Sequence, residues 1–277
     1  MNQPEMNQFV VSAFYQFFDF NQYQHEQKNL LSFCLENDLK GTILIAHEGI
    51  NSTISGTRSG IDALYQYLKD VIGIKDLSYK ESYSQFQPFL KMKVRLKKEI
   101  VTLGVGELDL KHKVGEYIEP SQWDDFIARD DVILVDTRNK YEVLLGKFEN
   151  AVDPETKTFR EFPQWVEKHL EEHRDKKIAM YCTGGIRCEK STSYLKNLGF
   201  EEVYHLKGGI LQYLEDTNNS NQKWQGSCFV FDDRVNLDDN LSASCAILCR
   251  HCRTEITTDD LMFSKTDKAN ECLKCTS

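Results

Sequence analysis

Residues 180–190 read MYCTGGIRCEK. They begin inside KIAMYC, from residue 177, a run of β-formers that reads as a buried strand. They lead into RCEKSTSYLKNLG, which reads as a helix ending at Gly199, a residue suited to the C′ position. Ligands of parallel α/β sheets bind at the carboxyl edge of such strands, and Cys182 falls just past that edge. The backbone N–H groups of Thr183, Gly184, Gly185 and Ile186 and of the helix start face a concavity there, and the two glycines let the chain turn tightly. A cradle of this kind stabilises an anion, which can be the cysteine itself. A thiolate at a helix N-terminus has its pKa lowered from about 8.5 toward roughly 3.5–7.5. Cys182 is therefore a candidate nucleophile, the plain alternative being a small apolar residue at a strand end.

Loop length narrows the chemistry. Cys182 to Arg187 is C-x4-R, one residue shorter than the C-x5-R loop with which protein tyrosine phosphatases hold a tetrahedral phosphate. The shorter loop suits a smaller group, such as the terminal sulfur of a persulfide. Arg187 can hold an anionic intermediate or a phosphate near Cys182, or form a salt bridge inside the domain. Cys188, at the helix start, either resolves an oxidised Cys182 or packs beneath the helix.

Working outward, strands and helices alternate over about a hundred residues, the mark of an α/β domain with a parallel sheet. EPSQWDDFIARD reads as a helix that Ser121 can cap, VILVDTR as a second buried strand, FREFPQWVEKHLEEH as a helix, and EVYHLKGG as the close of the block. Asp136 and Arg138, at the tip of VILVDTR, read as residues that shape the domain. The first hundred residues give a strand (FVVSAFYQFF), a helix (QYQHEQKNLLSFCLEND), two β-runs about the turn HEGIN, a helix (SGIDALYQYLKDVI) and a strand (FLKMKVRLKKEIVTL). That is the split βαβ order of a ferredoxin-like sandwich. GELDLKHKVGEY and residues 218–221 read as linkers. Three modules follow: 1–105 ferredoxin-like, 115–217 α/β, and a small Cys-rich tail over 226–277.

The chain has 277 residues, 40% hydrophobic and 28% charged, as in ordinary globular proteins, with a formal net charge of −9. That charge argues against non-specific nucleic-acid binding by the whole surface but leaves room for a local basic patch. QPFLKMKVRLKKE supplies one, with Lys91, Lys93, Arg95 and Lys97 at period two on one strand face, able to track an RNA backbone or simply to meet solvent. No secretory signal is read, since the apolar N-terminal stretch is broken by Gln16, and no run of about 18 apolar residues suggests a membrane span. Nine cysteines, an odd number without a signal, read as reduced thiols and metal ligands in a cytoplasm. Cys249 and Cys252 form one C-x-x-C and Cys272 and Cys275 another, the pattern of a structural zinc ribbon in a tail with little apolar content.

Several stretches together resemble a known family. VDTRNKYEVLLGKFENAV, with Asp136, Arg138, Glu142 and Gly146 in order, looks like the rhodanese signature; CTGGIRCEK resembles a rhodanese active loop, and HLKGGI the motif that closes that domain. GTILIAHEGINSTISG, PFLKMKVRLKKEIVTLG and GSCFVFDDRV extend the likeness over almost the whole chain to the rhodanese-domain family of oxygen-dependent tRNA uridine hydroxylases. One departure is His47, where the family pattern has proline. The resemblance implies conversion of the wobble uridine of tRNA to 5-hydroxyuridine with molecular oxygen as a substrate, a required loop cysteine, and the anticodon loop as partner. Attack of Cys182, as thiolate or persulfide, at C6 of the uracil would make C5 electron-rich and open to oxygen. No flavin, haem or nicotinamide motif is evident, nor a two-histidine-one-carboxylate iron site. The rival readings are a sulfurtransferase carrying a persulfide on Cys182, which the loop alone fits equally well, and a non-catalytic RNA-binding adaptor.

Overall fold

The computed structural model describes residues 8–217 and 223–230, with short strand pieces at 236–237, 247–248 and 255–256. Cys249, Cys252, Cys272 and Cys275, the expected zinc ligands, lie outside the described residues, as does the linker expected at 218–221.

The N-terminal elements run β1 (Phe9–Phe17), α1 (Tyr23–Glu36), β2 (Lys40–Ala46), β3 (Gly49–Gly56), α2 (Arg58–Tyr67), β4 (Tyr79–Ser84) and β5 (Met92–Leu96). They form one sheet of order β4-β1-β3-β2-β5. Its first four strands keep the antiparallel arrangement of the ferredoxin-like sandwich, with β1 antiparallel to both β3 and β4. The fifth strand corrects the sequence reading. The run around KMKVRL is not the last strand of the split βαβ but an added edge strand, parallel to β2. The true fourth strand, YKESYS, sits at the opposite edge.

The period of two sorts each strand into two faces. Phe14, Ile43, Ile45, Ile50 and Ile54 pack with Leu30 of α1 and Leu64 of α2 into an apolar core. Ala13, Tyr15, Phe17, Thr42, Leu44 and Asn51 project from the other face, which no helix of this half covers; they line a cavity instead.

The second half contains β6 (Glu116–Ile118), α3 (Pro120–Ile127), β7 (Val132–Asp136), α4 (Lys140–Val143), β8 (Gly146–Phe148), α5 (Phe162–His169), β9 (Lys177–Tyr181), α6 (Ile186–Asn197), β10 (Val203–Leu206) and α7 (Gly209–Thr217). Its central sheet, β6-β10-β9-β7, is parallel throughout. β9 shows why the sequence runs apolar without a break. Ile178 and Met180 pack with Phe162, Val166 and Leu195 on one side. Ala179 and Tyr181 pack with Trp123, Ile210 and Tyr213 on the other, so both faces are covered.

Four local readings change. Pro120 opens α3 and Glu119 is its cap, so Ser121 lies inside the first turn. GELDLKHKVGEY is only partly a linker, because Glu116–Ile118 pairs with β10. The start of the tail is part of the domain: β11 (Trp224–Gly226) pairs with β8, and Trp224 and Cys228 are buried in its core. Leu103 packs in the core of the second half, so the chain crosses between domains before residue 105.

Candidate active site

Gly185 is the N-cap of α6 and has φ +98°, a left-handed conformation that favours glycine. Its N–H donates to Cys182 Sγ at 3.1 Å. The Cys188 thiol and the start of α6, with the Arg187 and Cys188 N–H groups, also face that sulfur. Gly209, φ +68°, brings α7 against the same loop, where an added Cβ would lie 2.5 Å from the Cys182 carbonyl oxygen. Ile210 and Leu211 donate their N–H groups to the carbonyls of Cys182 and Thr183, which fixes the loop from behind. The glycines of HLKGGI therefore serve the Cys182 loop directly.

Cys182 is fully buried at the floor of the cavity. Burial pushes its pKa up, but the Cys188 thiol, the Arg187 charge and the two helix N–H groups outweigh it and bring the thiol down to about 6. Cys188 moves the opposite way: burial and the adjacent Cys182 raise it well above the ordinary range, so it remains a thiol that donates. Cys188 thus packs in the core under the helix with its thiol beside Cys182, and neither cysteine is in a disulfide.

Arg187 makes a bidentate pair with Glu142, each bond 2.7 Å, and both side chains are buried. Arg187 is therefore the salt-bridge partner that the sequence offered as one reading, and its charge also bears on Cys182. Arg138 behaves differently. It pairs with Asp136 at 2.6 Å with both side chains fully buried, donates to the Gly146 carbonyl, and lies 5.2 Å from the Trp224 ring. Asp136 and Arg138 hold β7, β8 and the incoming tail together.

The opposite wall is the open face of the N-terminal sheet. Together the two walls enclose a cavity of about 850 Å³, within the usual range of small-molecule sites. Lys190 of α6 ties them together, its buried ammonium pairing with Glu48 at 2.8 Å and Glu99 at 2.7 Å. Of the four basic candidates, Lys93 and Arg95 lie in β5 beside Thr42 and Leu44, which line the cavity. Lys97, past the strand end, lines it too, whereas Lys91 precedes the strand and is exposed. The single four-cation strand face is therefore two strand residues with one cation beyond each end.

Sequence reasoning missed Tyr15, Tyr117, Glu142 as the Arg187 partner, Glu189, and the cavity-lining Lys80 and Lys207. These residues come from separate elements, and no local spacing links them. Among the described residues, no group of three or more His, Cys, Asp or Glu side chains could hold a metal.

The sequence matches two family models: the UPF0176 acylphosphatase-like domain over residues 9–100 and the rhodanese-like domain over 119–216. A protein of Wolbachia pipientis wMel named tRNA uridine(34) hydroxylase is 53% identical over 253 residues, 91% of each chain. One of the same name from Sinorhizobium medicae is 49% identical over 274 residues, 99% of this chain and 87% of that one. This chain belongs to the tRNA uridine(34) hydroxylase family. Among solved structures, a rhodanese-related protein from Thermoplasma volcanium is 26% identical and covers 36% of this chain and 92% of its own, with a TM-score of 0.31. The two domain models of the hydroxylase family correspond to the two walls of the cavity. His47 lies in the exposed β2–β3 turn and bonds Asn21 at 3.0 Å.

Proposed function

We propose that this enzyme hydroxylates uridine 34 of tRNA to 5-hydroxyuridine, with molecular oxygen as a substrate and Cys182 as the nucleophile that activates the base. The observation that carries the reading is a stabilised thiolate at the floor of a cavity whose far wall is an open β-sheet face. A rhodanese loop by itself needs no such wall. Tyr15 and Phe17 offer aromatic surfaces there, and Lys93, Arg95 and Lys97 stand at its edge for a phosphate backbone, with Lys91 just beyond. Bases of an anticodon loop are unstacked and can enter such a space. Arg187 keeps Cys182 ionised, and the loop N–H groups of Gly185, Arg187 and Cys188 hold the anion until it attacks C6. Thr183, Gly184 and Ile186 line the approach. Asp136 and Arg138 support the loop's scaffold without meeting the base.

Among the described residues no helix is long and apolar enough to cross a membrane. We place the enzyme in the cytoplasm, with its tRNA substrate. We also propose that Cys249, Cys252, Cys272 and Cys275 bind one structural zinc ion, which elemental analysis would find at about one per chain.

The six-residue loop favours one second reading, a persulfide-carrying sulfurtransferase. Nucleoside mass spectrometry of tRNA from cells lacking the gene, then restored with the intact or the Cys182→Ser protein, separates the two. The hydroxylase reading expects 5-hydroxyuridine and its derivatives to disappear and to return only with the intact protein. Unchanged 5-hydroxyuridine with lost thiolated nucleosides would replace it by the sulfurtransferase reading.

A further inference from the structure

The cavity wall beside the Cys182 loop carries three ionisable side chains whose acid–base chemistry the reading above does not use. Tyr15 comes from β1, Tyr117 from β6 and Glu189 from the first turn of α6. The Tyr15 hydroxyl lies 3.2 Å from Glu189 Oε1, and the Tyr117 hydroxyl lies 2.8 Å and 2.9 Å from the two carboxyl oxygens. All three line the cavity that Cys182 floors. Tyr117 is 52% exposed, Glu189 is 9% exposed, and Tyr15 is half-buried. The Tyr15 hydroxyl ends against the catalytic loop, so close that a Cβ on Gly185 would lie 2.9 Å from it. The carboxyl has phenols for partners, while the neighbouring ammonium of Lys190 is engaged by Glu48 and Glu99. Burial pushes Glu189 above the usual carboxylate range, against the pull of its bonds from Tyr117 and Tyr15 and with the Cys182 charge adding to it.

Addition of a thiolate to C6 of uracil drives charge onto the C4 oxygen, and that charge is costly unless a donor meets it. We propose that Tyr15, Glu189 and Tyr117 form a proton relay for this step, with Tyr15 the catalytic acid at uracil O4, Glu189 the proton store and Tyr117 the link to solvent. The inference rests on the hydroxylase reading. The Cys182 sulfur bonds to C6 and the C5–C6 π bond breaks. Its electron pair is delocalised through C5 and C4 onto O4, which takes the Tyr15 proton. Glu189 re-protonates Tyr15, and Tyr117 passes a solvent proton to Glu189. No oxidation occurs in this step; it delivers the electron-rich C5 on which oxygen later acts. Before oxygen acts, C5 of the enol can take up a solvent proton, and on reversal it loses its original one.

That exchange is measurable without oxygen. The full chain is mixed with tRNA carrying unmodified uridine 34 in anaerobic D2O, and uridine 34 is read by mass spectrometry after digestion. The intact protein is expected to add one mass unit there. Tyr15→Phe and Glu189→Gln are expected to slow the exchange at least about tenfold, with tRNA affinity and unfolding temperature held. Tyr117→Phe is expected to slow it less. Should Glu189→Gln fail to fold, Tyr15→Phe, which removes only an oxygen atom, decides. Exchange at the intact rate in folded Tyr15→Phe overturns the proposal. So does an intact protein that restores 5-hydroxyuridine to cells yet shows no exchange, and that result leaves the hydroxylase reading standing. A protein that does neither removes both.

Discussion

Two buried arginine–carboxylate pairs lie in the same domain and serve different ends. Arg138 and Asp136 are fully buried, and the guanidinium spends its remaining donors on backbone carbonyls of the domain. Arg187 and Glu142 are as deeply paired, but Arg187 lies in the first turn of α6 and its charge falls on Cys182. Burial and pairing alone do not mark a functional group; what the charge faces beyond its partner does.

Breaking the first pair should give the largest effect. Arg138→Ala leaves the Asp136 carboxylate buried and alone, and should cost about 3–5 kcal/mol in denaturant unfolding. Activity per folded molecule should be nearly intact; a loss of turnover without a loss of stability would erase the distinction between the pairs.

His205 supplies a contrast within the same core. It is 1% exposed, neither ring nitrogen has a hydrogen-bond partner, and burial lowers its pKa to about 4. The folded state resists a proton that the unfolded chain accepts near pH 6.5. Stability should therefore fall as pH drops from about 6.5 to about 4, by about 3 kcal/mol in all, and level off below. His205→Phe should flatten that slope in pH-dependent unfolding.

Arg187→Lys keeps a charge but loses the two-pronged bond to Glu142. Turnover should fall about 10- to 100-fold, equivalent to about 1.4–2.7 kcal/mol. The thiolate of Cys182, normally lost as pH falls through about 6, should be lost at a higher pH; ultraviolet absorbance or the pH-dependence of alkylation reads this. An unshifted titration would make Arg187 as structural as Arg138.

The smallest effect belongs to the sheet edge. Lys93→Ala with Arg95→Ala should weaken tRNA binding about tenfold or less at moderate salt. It should also lower the slope of log K against log salt by about 1.4–1.8. An unchanged slope would return β5 to a merely solvated edge.

The Cys182 loop was legible because its parts are contiguous: strand end, cysteine, glycines, arginine and helix start fall within eleven residues. The alternation of the first three strands likewise marked one core face each. The edges of that sheet misled, since YKESYS is polar on both faces and carries no apolar period, while KMKVRL carries a strong one. The Glu142–Arg187 pair spans 45 residues and the Tyr15–Glu189 contact 174, so only the tertiary fold brings them together. Trp224 was hidden for a similar reason, because its value lies in closing over Arg138.

The central claim is that the Cys182 thiolate attacks the base. The most direct measurement uses tRNA bearing 5-fluorouridine at position 34, whose C5 fluorine cannot leave as a proton does. Peptide mapping after incubation should find the nucleotide covalently bound to Cys182 in the intact protein and absent from Cys182→Ser. An intact, tRNA-binding protein that forms no adduct, or one attached to another residue, would contradict the account.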